Sequence, residues 1–164
     1  MPGLVSNTVQ VHVASKNEVT GEFNFLVLKR SEGELLYPSI WQVVTGCIDT
    51  GETALEAALR ELKEETSLFP DKIWTLPYIG TFFNPTLDEL NFSPAFGILV
   101  DDKEHVKISE EHQDFKWLNL EDCIELIFMH SQKEGTQIFW DYILSKPDSN
   151  SFLINKYARF ITNY

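Results

Sequence analysis

Cysteine is nearly missing from this 164-residue chain. Its two cysteines, Cys47 and Cys123, are too few for the dense bridging of a small secreted domain, and neither lies in a CxxC or Cys/His spacing that would hold zinc. A reducing compartment is favoured. Basic residues are scarce as well: 13 Lys plus Arg stand against 25 Asp plus Glu, a formal charge of −12. Such a field repels polyanions, which argues against a nucleic-acid duplex or an acidic membrane as partner. Small phosphorylated substrates stay open, because a metal ion can bridge protein carboxylates and ligand phosphates on an acidic surface. No stretch approaches the roughly 20 apolar residues of a membrane span. Met1 to Ala14 lacks a basic patch followed by an apolar signal core, so a soluble, cytoplasmic protein is expected. Also missing are repeats, a G-x-S-x-G nucleophile elbow and a glycine-rich GxxxxGKS or GxxxxGKT phosphate loop. His12, His105 and His130 are scattered without ligand spacing.

What remains is 43% hydrophobic, 13% aromatic and 23% charged, the composition of a packed globular chain, and the length suits one domain over residues 1–164. Val9, Val11 and Val13 alternate with Gln10 and His12, and Phe23 to Leu28 is an apolar run, so two strands flank a turn at Asn17 to Gly21. Ser31 to Ser39 is a loop, and Ile40 to Val44 a short strand ending at Thr45 and Gly46. Thr53 and Glu56 have capping-box spacing, and Leu55, Ala58, Leu59 and Leu62 recur at helical intervals, predicting a helix from Ala54 to Ser67. Ile73 to Phe83 and Phe92 to Val100 predict a strand pair, and Val106 to Ile108 and Phe115 to Leu118 two short strands. Asn119 with Asp122, and Ser131 with Glu134, look like caps of two further helices, the second ending before Pro147. Phe152 to Phe160 is expected to pack back as a last helix.

The segment that carries chemistry runs from Gly46 to Glu65. At 100° per residue, Glu61, Glu64 and Glu65 fall within an arc of about 100°, apart from the stripe of Leu55, Ala58, Leu59 and Leu62. The close pairs Glu61/Glu64 and Glu61/Glu65 each cost roughly 0.2–0.5 kcal/mol if left uncompensated. A hard divalent cation would compensate them, and Mg²⁺ in particular combines a few carboxylates with waters and substrate phosphates. Clustering alone favours the alternative, a solvated glutamate-rich face.

Spacing decides between these. Gly46, five residues, Glu52, seven residues, then Arg60-Glu61-Leu62-Lys63-Glu64-Glu65 reproduces the signature of the Nudix hydrolases, which this chain resembles from Gly46 to Leu68. One position departs: Ser67 stands where the family has glycine, which bears on the left-handed turn after the helix and alters no acidic position. The resemblance implies an α/β fold, a Nudix α/β/α sandwich with a central mixed sheet. It implies metal ligation by Glu61, Glu64 and Glu65, with Glu61 and Glu65 foremost, joined by the Gly46 carbonyl. It also implies that Arg60 and Glu52 orient the acid cluster.

Flanking residues resemble the branch that hydrolyses dihydroneopterin triphosphate and deoxynucleoside triphosphates: Trp41 to Gly46 before the signature, and Glu111 to Leu118 after it. In that branch Glu111 would be a further metal ligand from a loop, with Glu64 or Glu111 as general base, whereas His112 is structural or exposed. Trp41 and Gln42 are candidates to position or stack a base or pterin, with a buried tryptophan as the alternative. Lys29 and Arg30 are candidate phosphate contacts, against a solvated strand end for at least one. The expected reaction is Mg²⁺-dependent hydrolysis, with Mn²⁺ as a substitute, of a nucleoside triphosphate or related organic triphosphate to monophosphate and pyrophosphate. The alternatives are a dinucleoside polyphosphate or nucleotide-sugar hydrolase and a non-catalytic nucleotide-binding module of the same fold. The expected partner is a small phosphorylated substrate, with neither nucleic acid nor membrane.

Overall fold

A computed structural model describes residues 1–146 and 149–154. Eight strands form one mixed sheet: β1 (Gly3–Val5), β2 (Thr8–Lys16), β3 (Phe23–Arg30), β4 (Trp41–Gln42), β5 (Val44–Cys47), β6 (Lys72–Asn84), β7 (Glu89–Val100) and β8 (His112–Leu118). Helices α1 (Ala54–Thr66), α2 (Leu120–Leu126) and α3 (His130–Phe139) pack around it, α3 running into a π turn at Trp140–Leu144. β7 pairs in parallel with β1 and β2, and antiparallel with β6. β2 pairs antiparallel with both β3 and β5, and β3 with β4 and β8. Among the described residues no helix is long and apolar enough to cross a membrane.

The two faces follow from the period of two along each strand. On β2, Val9, Val11 and Val13 turn to one face, where Ala57, Ala58, Leu59 and Leu62 of α1 complete a buried core with Leu26, Leu28 and Ile98. Ala14, together with Phe25, Val27 and Val43, turns to the other face, against Cys123, Ile127, Phe139 and Ile143 of the α2/α3 layer. The sheet is thus sandwiched between helical layers, as expected of an α/β/α protein.

Helix α1 begins where the sequence predicts. Thr53 and Glu56 form a full capping box, so two of the unpaired first-turn N–H groups find acceptors. It ends one residue early, at Thr66, because Ser67 adopts the left-handed conformation (φ 59°, ψ 14°) and its N–H bonds back to the Lys63 carbonyl. Serine therefore makes the turn that glycine makes in the family.

Three expectations are corrected, and a fourth falls largely outside the described residues. Ile40 to Val44 is not one strand: the ladder breaks at Val43 between β4 and β5, whose N–H instead donates to Gln132 Oε1 of α3 at 3.0 Å. Val106 to Ile108 joins no sheet; Lys107 N–H donates to the Thr66 carbonyl and Ser109 N–H to the Glu65 carbonyl, so the segment caps the C-terminal end of α1. Ser131 does not cap α3, which starts from Met129 without a side-chain cap. Of the helix expected at Phe152 to Phe160, only the first residues are described, as a 3-10 turn at Ser149–Phe152 and a bridge from Leu153 to Trp74; the rest lies outside the described residues. The Asn119 cap is found, its side chain accepting from Asp122 N–H.

Candidate active site

The end of β5 and the middle of α1 meet at Gly46. A Cβ placed there would lie 1.9 Å from the Glu61 carboxyl carbon, so only glycine lets the strand pass this close to the helix. Glu61 is mostly buried as a result. Arg60, next to it, binds Glu52 through two parallel bonds, Nε to Oε1 and Nη2 to Oε2, each 2.9 Å. Its Nη1 donates to Glu61 at 2.6 Å and to Glu64 at 3.2 Å, and Nη2 donates to the Cys47 carbonyl at 2.7 Å. One guanidinium therefore ties the loop after β5 to three carboxylates. Arg60 holds the Glu52 carboxyl below its usual range, and those bonds push the guanidinium's own pKa up despite partial burial.

The glutamates of α1 do not form the uniform solvated face that clustering alone permits. Glu64 is exposed, while Glu65 is only 4% exposed, closed in by β5, β8 and the 107–109 segment. Burial pushes the Glu65 carboxyl well above the carboxylate range, and the charges of Glu61 and Glu111 push the same way. Burial raises Glu61 too, opposed by Arg60 and reinforced by Glu64 and Glu111. Glu111, in the turn before β8, is thus within electrostatic reach of both helix glutamates. That turn is tied down by Ser31, whose N–H donates to the Glu111 carbonyl and whose hydroxyl donates to the Glu110 carbonyl.

The four expected substrate contacts divide between the two faces. Arg30, opposite His112 in the β3/β8 ladder, bonds Glu34 at 2.8 Å and the Leu36 carbonyl at 3.1 Å, and its charge reaches Glu65 and His112. Gln42 is buried on the same side, with Nε2 3.4 Å from Thr45 Oγ1 and 3.5 Å from His112 Nε2. Trp41 and Lys29, neighbours in the β3/β4 register, lie on the α3 side. Trp41 is half-buried against the core there, with Lys116 Nζ 4.9 Å from its ring centroid. His112 is the residue that sequence reasoning left aside: it is buried, with Nε2 3.8 Å from Glu65 Oε2, and burial lowers its pKa to about 4, so the ring is neutral. Its signal is its place as first residue of a strand entered directly from Glu111.

Comparison with known proteins converges on this region. The NUDIX domain model matches residues 8–140. This chain belongs to the Nudix family. A mouse (Mus musculus) bis(5'-nucleosyl)-tetraphosphatase (asymmetrical) is 30% identical over 125 residues, covering 75% of this chain and 82% of that one. The nucleoside triphosphatase NudI of Escherichia coli K12 is 27% identical over 110 residues, 61% and 76% of the two chains. Among solved structures, an E. coli dihydroneopterin triphosphate pyrophosphohydrolase aligns with a TM-score of 0.61 and 25% identity, over 80% of this chain and 93% of that one. A C. elegans Ap4A hydrolase complex aligns with a TM-score of 0.71 over 87% and 100%, at 24% identity, a likeness of fold.

As a Nudix hydrolase, the chain has an arrangement that can be tested against a divalent cation. The donors at the Nudix helix are all oxygens, which suits a hard ion. Glu65 Oε2 is buried without a hydrogen-bond partner, so it is free to accept one. As placed, no three His, Cys, Asp or Glu side chains converge into a ready-made metal cluster among the described residues, because Glu61 and Glu64 are turned onto Arg60. The donor set fits the ion, with a shift of Glu61 and Glu64 off the guanidinium.

Proposed function

We propose that this Nudix hydrolase cleaves the α–β phosphoanhydride of a nucleoside triphosphate or a related organic triphosphate, releasing monophosphate and pyrophosphate in a Mg²⁺-dependent reaction. The observation that carries the reading is the buried Glu65 Oε2, without a hydrogen-bond partner, in a carboxyl whose proton affinity burial and the Glu61 and Glu111 charges raise against the Thr45 N–H and Arg30. Glu61, Glu65 and the Gly46 carbonyl would hold the ion, with Glu64 and Glu111 completing its surroundings from helix and loop. When bound, Mg²⁺, or Mn²⁺ in its place, supplies charge neutralisation of the phosphate oxygens and acidification of a water.

The chain's own groups do the rest. Arg60, clamped by Glu52, sets the rotamers of Glu61 and Glu64 and keeps the acid cluster from repelling itself apart. Glu64 or Glu111, the exposed members of the group, takes the proton of the attacking water, since an exposed carboxylate can return it to solvent. Arg30, on the same face, offers a cation to the substrate phosphates; Gln42 lines the approach, while Trp41 and Lys29 stand at its far side. The scarcity of cysteine supports a cytoplasmic setting for this activity.

A dinucleoside polyphosphate is the second reading, favoured by the 30% identity to the mouse tetraphosphatase. A panel of deoxynucleoside triphosphates, dihydroneopterin triphosphate, diadenosine tetraphosphate and nucleotide sugars, with and without Mg²⁺, separates the two. Pyrophosphate release from the triphosphates, at a kcat/KM at least tenfold above that of the dinucleotide, is expected; the reverse order overturns the first reading.

A further inference from the structure

Four polar residues from four elements close a ring that includes the buried Glu65 carboxyl. The Thr45 N–H of β5 meets that carboxyl, and Thr45 Oγ1 lies 3.4 Å from Gln42 Nε2 of β4. Gln42 Nε2 is 3.5 Å from His112 Nε2 of β8, and His112 Nε2 is 3.8 Å from Glu65 Oε2 of α1. The His112 side chain is fully enclosed and that of Glu65 is 5% exposed, so bulk solvent serves neither group. Backbone ladders fix the sheet members of the ring: Gln42 stands opposite Leu28, His112 opposite Arg30 and Thr45 opposite Gln10. Glu65 alone reaches in from a helix.

The other enclosed histidine of the molecule is placed differently. His12 rests its Nδ1 on the Thr136 hydroxyl at 2.9 Å, a neutral partner whose own proton goes to the Gln132 carbonyl. His112 turns its Nε2 to an acid oxygen that has no hydrogen-bond partner. Each of these two rings leaves one nitrogen bare, so bareness distinguishes neither; the carboxyl in front of His112 does. A gap of 3.8 Å is longer than a hydrogen bond, and a carboxyl movement of about 1 Å closes it. For packing alone, an apolar ring of similar size would serve as well and would bury no unpaired nitrogen.

We propose that His112 is a positioning residue for Glu65, its ring N–H holding Oε2 so that the carboxylate is aimed from α1 at the divalent cation. A carboxylate oxygen has two lone-pair sites, so one takes the ring N–H and the other stays open to the cation. The Gln42 amide, which carries both a donor and an acceptor, backs the same ring nitrogen. Carboxylates that ligate a metal are themselves held by hydrogen bonds, and loss of such a support weakens metal binding about 10- to 100-fold. The inference rests on the reading of Glu65 as a metal ligand of the Nudix site and is separable from it.

The test is Mn²⁺ binding without substrate, followed by electron paramagnetic resonance of the free ion, in wild type, His112→Phe, His112→Gln, Glu65→Gln and the double variant Glu65→Gln/His112→Phe. Phenylalanine keeps the ring and removes both nitrogens, whereas glutamine places an amide N–H near the position of Nε2. His112→Phe should weaken Mn²⁺ binding roughly 10- to 100-fold while its melting temperature in chelator stays level or rises. His112→Gln should return to within about threefold of wild type. Added to Glu65→Gln, His112→Phe should cost less than about twofold more, because the ring then has no ligand to hold. Unchanged affinity in His112→Phe, or an undiminished further loss in the double variant, overturns the proposal and leaves the metal reading of Glu65 standing. If wild type binds no Mn²⁺, or Glu65→Gln binds it as tightly as wild type, the metal reading falls and the proposal with it. Should His112→Phe fail to fold, His112→Gln against the shorter His112→Asn decides: weaker binding by roughly tenfold in the asparagine variant alone supports the proposal, and equal affinities overturn it.

Discussion

Glu65 sits where a carboxylate is least at ease, buried at the joint of α1, β5 and the 107–109 segment, with Glu61 and Glu111 adding like charge. A residue kept there for stability alone would be neutral, which supports the proposed role of Glu65 in the site. Glu65→Gln should reduce kcat at saturating Mg²⁺ by roughly 100-fold or more, as loss of a metal ligand does. The melting temperature in chelator should stay level or rise, because the amide has no charge to bury. Wild-type turnover in this variant would remove Glu65 from the site. Arg60→Lys tests the clamp: an ammonium cannot reproduce the paired bonds to Glu52 and the further bonds to Glu61 and Glu64, so kcat should fall roughly tenfold with the fold retained. Rates within twofold of wild type would show that Arg60 only decorates the surface. The identity of these residues is legible in the spacing from Gly46 to Glu65. Their depth is not, because Glu65 and His112 are buried by segments more than 40 positions away from each other in sequence, which no local period encodes.

At the level of elements, α1 was predictable at both ends because its caps are local: a capping box at Thr53 and a left-handed stop near Ser67. A non-glycine residue in that conformation carries a cost of roughly 1–2 kcal/mol. Ser67→Gly should therefore raise stability by about 0.5–1 kcal/mol, read as a higher denaturant midpoint at unchanged slope; a lower midpoint would mean that the serine side chain holds the turn. Val106 to Ile108 misled for the opposite reason. Its alternating apolar pattern is that of a strand, but the donors it carries are taken by the carbonyls of Glu65 and Thr66. The docking of α3 turns on His12, fully enclosed against Thr136 and Gly135, with its pKa lowered to about 3 by burial. In the unfolded chain it titrates near 6.5. The unfolded state thus binds more protons below that value, so the stability His12 lends is whole above pH 6.5 and is lost as pH falls toward 3. The denaturant midpoint of wild type should drop more steeply than that of His12→Gln between about pH 6.5 and pH 4. Parallel slopes would exclude His12 as the titrating group.

Across the whole molecule, the sheet sets the Nudix helix on one face and the α2/α3 layer on the other. The α/β/α layering was legible, since valine alternation and one amphipathic helix announce it. The pairing of β1 with β7 and the break between β4 and β5 were not, as short strands owe their existence to partners distant in sequence. A net charge of −12 sets a polyanionic substrate against the average field. On the proposed reading, binding depends on a cation at the acid cluster, and the site of bond cleavage reports on how that cluster aims water. The decisive measurement is mass spectrometry of the products formed from a deoxynucleoside or dihydroneopterin triphosphate in ¹⁸O-labelled water. With Mg²⁺ present, monophosphate and pyrophosphate with the label in only one of them are expected, and neither should form in chelator or with Glu65→Gln. Inorganic phosphate and a diphosphate as first products, or undiminished turnover without divalent cation, would contradict the assignment.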